Sequence, residues 1–125
     1  MARTLMTRMA EAKAAVPAIS PDELQTMMGS DRLLIVDVRD HPELSGGKVK
    51  GAIHVTRGML EFKADPALAS RDPAFSPDKT IVVYCASGGR SALAGLTLQE
   101  LGYPDVRNLG GYKGWVDAGG PVEPA

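Results

Sequence analysis

Thr80-Ile81-Val82-Val83-Tyr84-Cys85-Ala86-Ser87-Gly88-Gly89-Arg90-Ser91 passes from a β-favouring run into a small, glycine-containing loop. The residues that follow, Ser91 to Leu101, carry apolar side chains at helical spacing, and Gly102 stands where a helix would end. The order is therefore strand, loop, helix N-terminus. At such a junction several backbone N–H groups lack intrahelical partners and can converge on one point, where the helix dipole also favours negative charge. The single cysteine of the chain, Cys85, ends the strand at that point. Cysteine reacts as the thiolate, and a helix N-terminus with a nearby Arg, here Arg90, lowers its pKa from about 8.5 to about 3.5–7.5. An isolated free cysteine is more often a small buried hydrophobe. The loop shifts the reading of Cys85 to a stabilised nucleophile.

Leu33-Leu34-Ile35-Val36-Asp37-Val38 is a second near-continuous apolar run. Such runs suit parallel strands covered on both faces. Around them the sequence predicts a short strand over Val16–Ile19, then a helix starting Ser20-Pro21-Asp22-Glu23, with Ser as N-cap and Glu three residues on. A helical turn at Gly58–Phe62, a segment of short helices and turns punctuated by Asp65-Pro66 and Asp72-Pro73, a last strand at Val106–Leu109 and a last helix at Tyr112–Ala118 complete the pattern. Strands alternating with helices predict an α/β fold, a small parallel sheet flanked by helices on both faces. Ligands of such sheets bind beyond the carboxyl ends of the strands, where Asp37 and Cys85 both fall.

Composition sets bounds on the rest. A chain of 125 residues with 44% hydrophobic content supports one core. Residues 1–15 read as an amphipathic extension helix with Leu5, Met9, Ala12 and Val16 on its apolar side, or else as a weak organelle-targeting helix. Residues 16–121 read as the domain and residues 122–125 as a short tail. A net charge of −1 with scattered basic residues gives no footprint for nucleic acid. No stretch approaches a membrane span and none resembles a secretory signal, so the expected location is cytoplasmic. One cysteine excludes an intrachain disulfide, and His41, His54 and Cys85 do not make a structural zinc set, so no metal or cofactor is expected.

Cys85-Ala86-Ser87-Gly88-Gly89-Arg90-Ser91 resembles the active-site loop of the rhodanese family, sulfurtransferases that carry sulfur as a cysteine persulfide. Leu33 to Asp40, a strand ending in Asp37-Val38-Arg39, resembles that family's first motif, and Gly51-Ala52-Ile53-His54-Val55 the segment after it. Leu109-Gly110-Gly111-Tyr112-Lys113-Gly114-Trp115 resembles its closing motif. The four pieces occur in family order, and the length matches a single-domain form.

The resemblance implies that Cys85 takes sulfane sulfur from a donor such as thiosulfate and passes it to cyanide, a thiol or a protein acceptor. The N–H groups of Ala86, Ser87, Gly88, Gly89, Arg90 and Ser91 would hold the persulfide, and Arg90 would orient the loop or bind the donor's oxyanion. With no second cysteine, turnover needs an external acceptor. A non-enzymatic sulfur carrier or interaction module is an alternative, as is a small phosphatase or arsenate reductase. Those phosphate and arsenate enzymes place Arg six positions after the cysteine, whereas Arg90 stands five after Cys85.

Among supporting residues, Asp37 either hydrogen-bonds toward the loop or Arg90 or caps a strand end. Arg39 is read as a structural ion-pair partner, and Arg57 either reaches the pocket mouth or is solvated. His41 and His54 take surface or packing roles. Trp115 and Tyr112 pack the last helix onto the core. Lys48-Val49-Lys50 departs from the His and Pro that the family commonly shows there, and both lysines are expected to be solvated.

Overall fold

The computed structural model describes residues 2–125. Strands β1 (Leu33–Asp37), β3 (Ile53–His54), β4 (Thr80–Cys85) and β5 (Val106–Gly111) form a four-stranded sheet in the order β3-β1-β4-β5, every pair parallel. The two central strands are those read from apolar runs. Alternation along β4 divides the core: Ile81, Val83 and Cys85 face one side, Val82 and Tyr84 the other. Helices α1 (Leu5–Ala15), α3 (Leu60–Ala64) and α4 (Gly89–Glu100) supply Ala12, Leu60, Ala64, Ala94 and Leu98 as buried residues. The cluster on the Cys85 side includes Leu60, Ala64, Ala94 and Leu98. Helices α2 (Pro21–Met27) and α5 (Tyr112–Asp117) cover the opposite side with Leu24 and Trp115. The fold is thus the parallel sheet with helices on both faces that the sequence predicts.

Local chemistry sets the element ends. The N-cap Ser20 accepts from Glu23 N at 3.1 Å while the Glu23 carboxylate accepts from Ser20 N at 3.0 Å, the reciprocal box the sequence predicted. Helix α4 ends with Gly102 at φ +101°; Gly102 N donates to Gln99 O and Tyr103 N to Leu98 O, which satisfies two otherwise orphaned carbonyls.

Five expectations change. Only Ala18 of the Val16–Ile19 segment pairs, as a parallel bridge to Asn108, because Pro17 can offer only its carbonyl, which accepts from Asn108 N. Helix α4 starts at Gly89 rather than Ser91, so Arg90 and Ser91 belong to its first turn. Residues 65–79 hold turns and no helix; Asp65 and Asp72 each accept from the N–H two residues on, the Asx geometry that closes turns. The segment read as a tail contains β6 (Val122–Glu123), antiparallel to β2 (Lys48–Val49). The apolar side of α1 also differs from its reading: Ala12 and the following Val16 are buried against the body, while Leu5 is 59% exposed.

Candidate active site

The β4–α4 junction forms around Cys85. Gly88 sits at φ +99°, a left-handed conformation that glycine adopts without strain, and this turns the chain so that its N–H points back at the sulfur. Cys85 Sγ accepts from Gly88 N at 3.0 Å and from Ser91 N at 3.4 Å, and lies 3.5 Å from Ser91 Oγ. Burial alone would push the thiol up, but the Ser91 hydroxyl and the N–H groups of Ser91, Gly88 and Ser87 outweigh it and leave the thiol below its ordinary value. Cys85 is fully buried beneath the exposed Ala86 and Ser87.

Strand β5 braces the loop from the side. A bulge between the pairs Val83↔Asn108 and Tyr84↔Gly110 skips Leu109 and brings the glycines of its end against the loop. A Cβ on Gly111 would stand 2.7 Å from Ala86 O, so the loop backbone fits only against a bare Cα. Asn108 Oδ1 accepts from Ser91 Oγ at 2.8 Å and from Gly110 N at 2.9 Å. Asn108 was read only as part of a strand. Its signal was a strand-averse amide separated by one residue from the glycine pair Gly110-Gly111.

Asp37 reaches neither the loop nor Arg90. Its buried carboxylate accepts from Arg39 Nε at 3.1 and 3.0 Å, from Arg39 Nη2 at 2.7 Å and from Tyr84 OH at 2.5 Å. Arg39 also donates to Gly47 O at 2.8 Å and to Glu43 O at 3.3 Å, and its guanidinium lies 4.4 Å from the Tyr112 ring centroid. Burial opposes the charge on Arg39, yet the Asp37 carboxylate more than offsets this and keeps it protonated. Tyr84 is pushed above its ordinary range by burial and by Asp37. This network, on the sheet face opposite Cys85, anchors the 3₁₀ segment His41–Gly46.

That segment carries Glu43, which the sequence reading missed. Arg90 Nη1 and Nη2 donate to the two Glu43 carboxylate oxygens at 2.6 and 2.9 Å. Arg90 therefore ties the first turn of α4 to the segment after β1 instead of bonding the loop. The paired Arg90 lowers the Glu43 carboxyl to about 2, and Glu43 raises Arg90 further above its ordinary value. The legible signal was Asp40-His41-Pro42-Glu43, a helix-start pattern: Asp40 N donates to Glu43 Oε1 at 2.9 Å.

Arg57 bonds Glu61 at 2.9 Å and Thr97 Oγ1 at 3.0 Å, a position that joins α3 and α4. His54 Nε2 lies 2.7 Å from Arg39 O, and exposed His41 is 6.2 Å from it, ring to ring. Lys48 is not simply solvated: Nζ donates to Ala52 O at 2.5 Å and lies 3.7 Å from Glu123, because β6 brings that acid alongside β2. Lys50 is exposed. Among the described residues no group of His, Cys, Asp and Glu is arranged to hold a metal, and no helix is long and apolar enough to cross a membrane.

Residues 20–118 match the family described as rhodanese-like domain. The chain belongs to the rhodanese-like domain family. It is 31% identical over 111 residues to the human thiosulfate:glutathione sulfurtransferase, covering 83% of this chain and 96% of that one. It is 30% identical over 113 residues to thiosulfate sulfurtransferase GlpE of Actinobacillus succinogenes, covering 89% and 94%. Among solved structures, the human single-domain sulfurtransferase TSTD1 superposes with a TM-score of 0.70 at 28% identity, covering 82% of this chain and 97% of that one. A Rhodopseudomonas palustris protein of unknown function, described as a possible tyrosine phosphatase, superposes with a TM-score of 0.88 at 39% identity over 98% and 96% of the two chains. Family and named relatives support a sulfurtransferase of rhodanese type.

Proposed function

We propose that this protein moves sulfane sulfur through a persulfide on Cys85, with thiosulfate as a donor and cyanide or a thiol as acceptor. The observation that carries the reading is the convergence of Gly88 N, Ser91 N and Ser91 Oγ on Cys85 Sγ at the foot of α4. The Cys85 thiolate attacks the outer sulfur of thiosulfate. The S–S bond of the donor breaks, its electron pair leaves with sulfite, and the outer sulfur stays on Cys85 as a persulfide anion. The acceptor then attacks that sulfur and the Cys85 thiolate departs, so cyanide becomes thiocyanate and a thiolate becomes a persulfide. The donors from Ala86 to Ser91 hold the negative charge in both half-reactions, and preorganised donors of this kind contribute about 2.7–4 kcal/mol each in oxyanion holes. Glu43 and the Asp37–Arg39 pair hold the surrounding backbone.

Two features favour sulfur over phosphate chemistry despite the phosphatase description of the R. palustris protein. Arg90 is occupied by Glu43 rather than aimed across the loop. Cys85 is fully buried, so a donor reaches it only as the loop opens, and a terminal sulfur needs less opening than a tetrahedral oxyanion. The relatives' names, including a thiosulfate:glutathione sulfurtransferase and a bacterial GlpE, fit a small donor and a thiol acceptor, and a cytoplasmic setting belongs to the same proposal.

The test is intact mass after incubation with thiosulfate and desalting, with Cys85→Ser in parallel. A gain of one sulfur that cyanide removes, and that the variant lacks, is expected. No gain, together with hydrolysis of an aryl phosphate, would replace this reading with the phosphatase one.

A further inference from the structure

The Ser91 hydroxyl has one proton and three neighbours that can accept it. Asn108 Oδ1 lies at 2.8 Å, Gly88 O at 3.1 Å and Cys85 Sγ at 3.5 Å. Gly110 N donates to Asn108 Oδ1 at 2.9 Å, and a backbone N–H requires an oxygen there. That bond fixes the orientation of the Asn108 amide. Facing an oxygen, the Ser91 hydroxyl must be the donor in the 2.8 Å contact. Gly88 O and Asn108 Oδ1 each already accept one backbone N–H, so the shorter contact, 2.8 Å against 3.1 Å, favours Asn108.

While Cys85 is a thiol, this arrangement closes on itself: Sγ–H donates to Ser91 Oγ, and Ser91 O–H donates to Asn108 Oδ1. Once Cys85 is a thiolate, the contact at 3.5 Å holds two acceptors and no proton unless the hydroxyl turns from Asn108 to the sulfur. Hydrogen bonds to charged groups exceed neutral ones, so the thiolate gains by capturing it, and the gain is reduced by the bond given up.

We propose that Asn108 is a positioning residue that competes with Cys85 for the Ser91 hydroxyl and so sets how readily the reactive thiolate forms. The thiol proton leaves to solvent, the Ser91 proton stays on its oxygen and changes acceptor, and no other group changes charge. The inference deepens the sulfur-transfer reading and rests on it for its consequence, a loop poised between a resting thiol and an attacking thiolate. The same competition acts on the persulfide, whose charge sits one atom further out and draws less on the hydroxyl.

The charged groups around this thiol come from several elements. Arg90 of α4 couples to Cys85 by charge, with Glu43 and Asp40 behind it from the segment after β1. Lys13 of α1 borders a surface depression of about 330 Å³ shared with Ser87, Gly88 and Asn108. On the Cys85 face, β1 contributes Val36 and Val38 and α3 contributes Leu60 and Ala64, all apolar. Replacing Asn108 with Ala leaves every one of these charges in place.

The experiment reads the rate of Cys85 alkylation by iodoacetamide, a neutral reagent, across pH, independently of any sulfur donor. Asn108→Ala releases the hydroxyl and should raise the rate below the titration midpoint by roughly two- to tenfold, the worth of one neutral hydrogen bond. Asn108→Asp keeps oxygens for Gly110 N and the hydroxyl while gripping the hydroxyl more strongly, and should lower the rate. A residue that merely supported the loop would move both variants in one direction. In a Ser91→Ala background the Ala effect should vanish and the Asp effect should shrink to that of its added charge. Superimposable profiles for Asn108→Ala and the parent, or equal shifts with and without the Ser91 hydroxyl, would overturn the proposal. Should Asn108→Ala fail to fold, the Asp variant alone, with and without Ser91, decides it. Failure of sulfur loading with these shifts intact would reject the proposed reaction and leave this inference standing.

Discussion

Replacing Asp37 with Asn tests whether the network behind the loop is held by charge. The carboxylate is fully buried, and both of its oxygens accept, from Arg39 and from Tyr84 OH. An amide of the same shape turns an N–H₂ toward donors at 2.7 and 2.5 Å and leaves the Arg39 guanidinium, about 5% exposed, without a counter-charge. Breaking a buried pair from one side costs roughly 3–5 kcal/mol. For a domain of this size unfolding in urea with a slope of about 2 kcal/mol/M, the midpoint should fall by about 1.5–2.5 M at unchanged slope. The same change loosens the backbone at Glu43 and Gly47 that Arg39 holds, so sulfur loading of the folded variant should also slow. Arg39→Met alone should cost a similar amount, whereas the pair Asp37→Leu with Arg39→Met should recover much of the loss, because no unpaired charge remains. A midpoint shift below about 0.5 M for Asp37→Asn, or additive single effects, would refute the assignment of a charge-held network.

Three further outcomes follow from the site. The Glu43 carboxyl titrates near 2 in the fold against an ordinary 4.5, so its pairing with Arg90 stabilises fully above pH 4.5 and is lost as pH falls toward 2. With both side chains about a third exposed, Glu43→Gln should cost only about 1 kcal/mol near neutral pH and almost nothing near pH 2, measured by urea unfolding at each pH. Gly111→Ala sets a Cβ 2.7 Å from Ala86 O and should displace the loop, slowing persulfide formation by about ten- to a hundredfold in single-turnover kinetics while the sheet persists. Because the loop donors hold the Cys85 thiol below its ordinary value, the loading rate should rise to its plateau at lower pH than an ordinary thiol would, and Ser91→Ala should move that profile to higher pH.

The two central strands, the capping box at Ser20 and the strand-loop-helix junction were legible because each is local: a continuous apolar run, a reciprocal cap and a glycine between strand and helix fix themselves over a few residues. The Val16–Ile19 pairing shrank to one bridge because Pro17 cannot donate, a local fact that the apolar pattern outweighed in the reading. Strand β6 was invisible because two residues make a strand only where a partner is brought to them, and β2 lies more than seventy positions away.

At the site, the local geometry was readable along the chain: Cys85, Gly88 and Ser91 lie within seven residues, the helix N-terminus follows directly, and the loop N–H groups turn onto the sulfur. The tertiary structure alone decided which distant groups press on that loop. Glu43 meets Arg90, and Asn108 meets Ser91, at separations of 47 and 17 residues. Asp37, read as bonding toward the loop or Arg90 or else as capping a strand end, does the latter: it accepts from Arg39 N at 2.9 Å and turns to the other face to pair with the Arg39 guanidinium. Spacing along the chain carries the backbone geometry of a turn or cap, because those bonds form within one or two helical turns. The partner of a long charged or amide side chain is set by where the sheet brings other elements, and no local pattern records it.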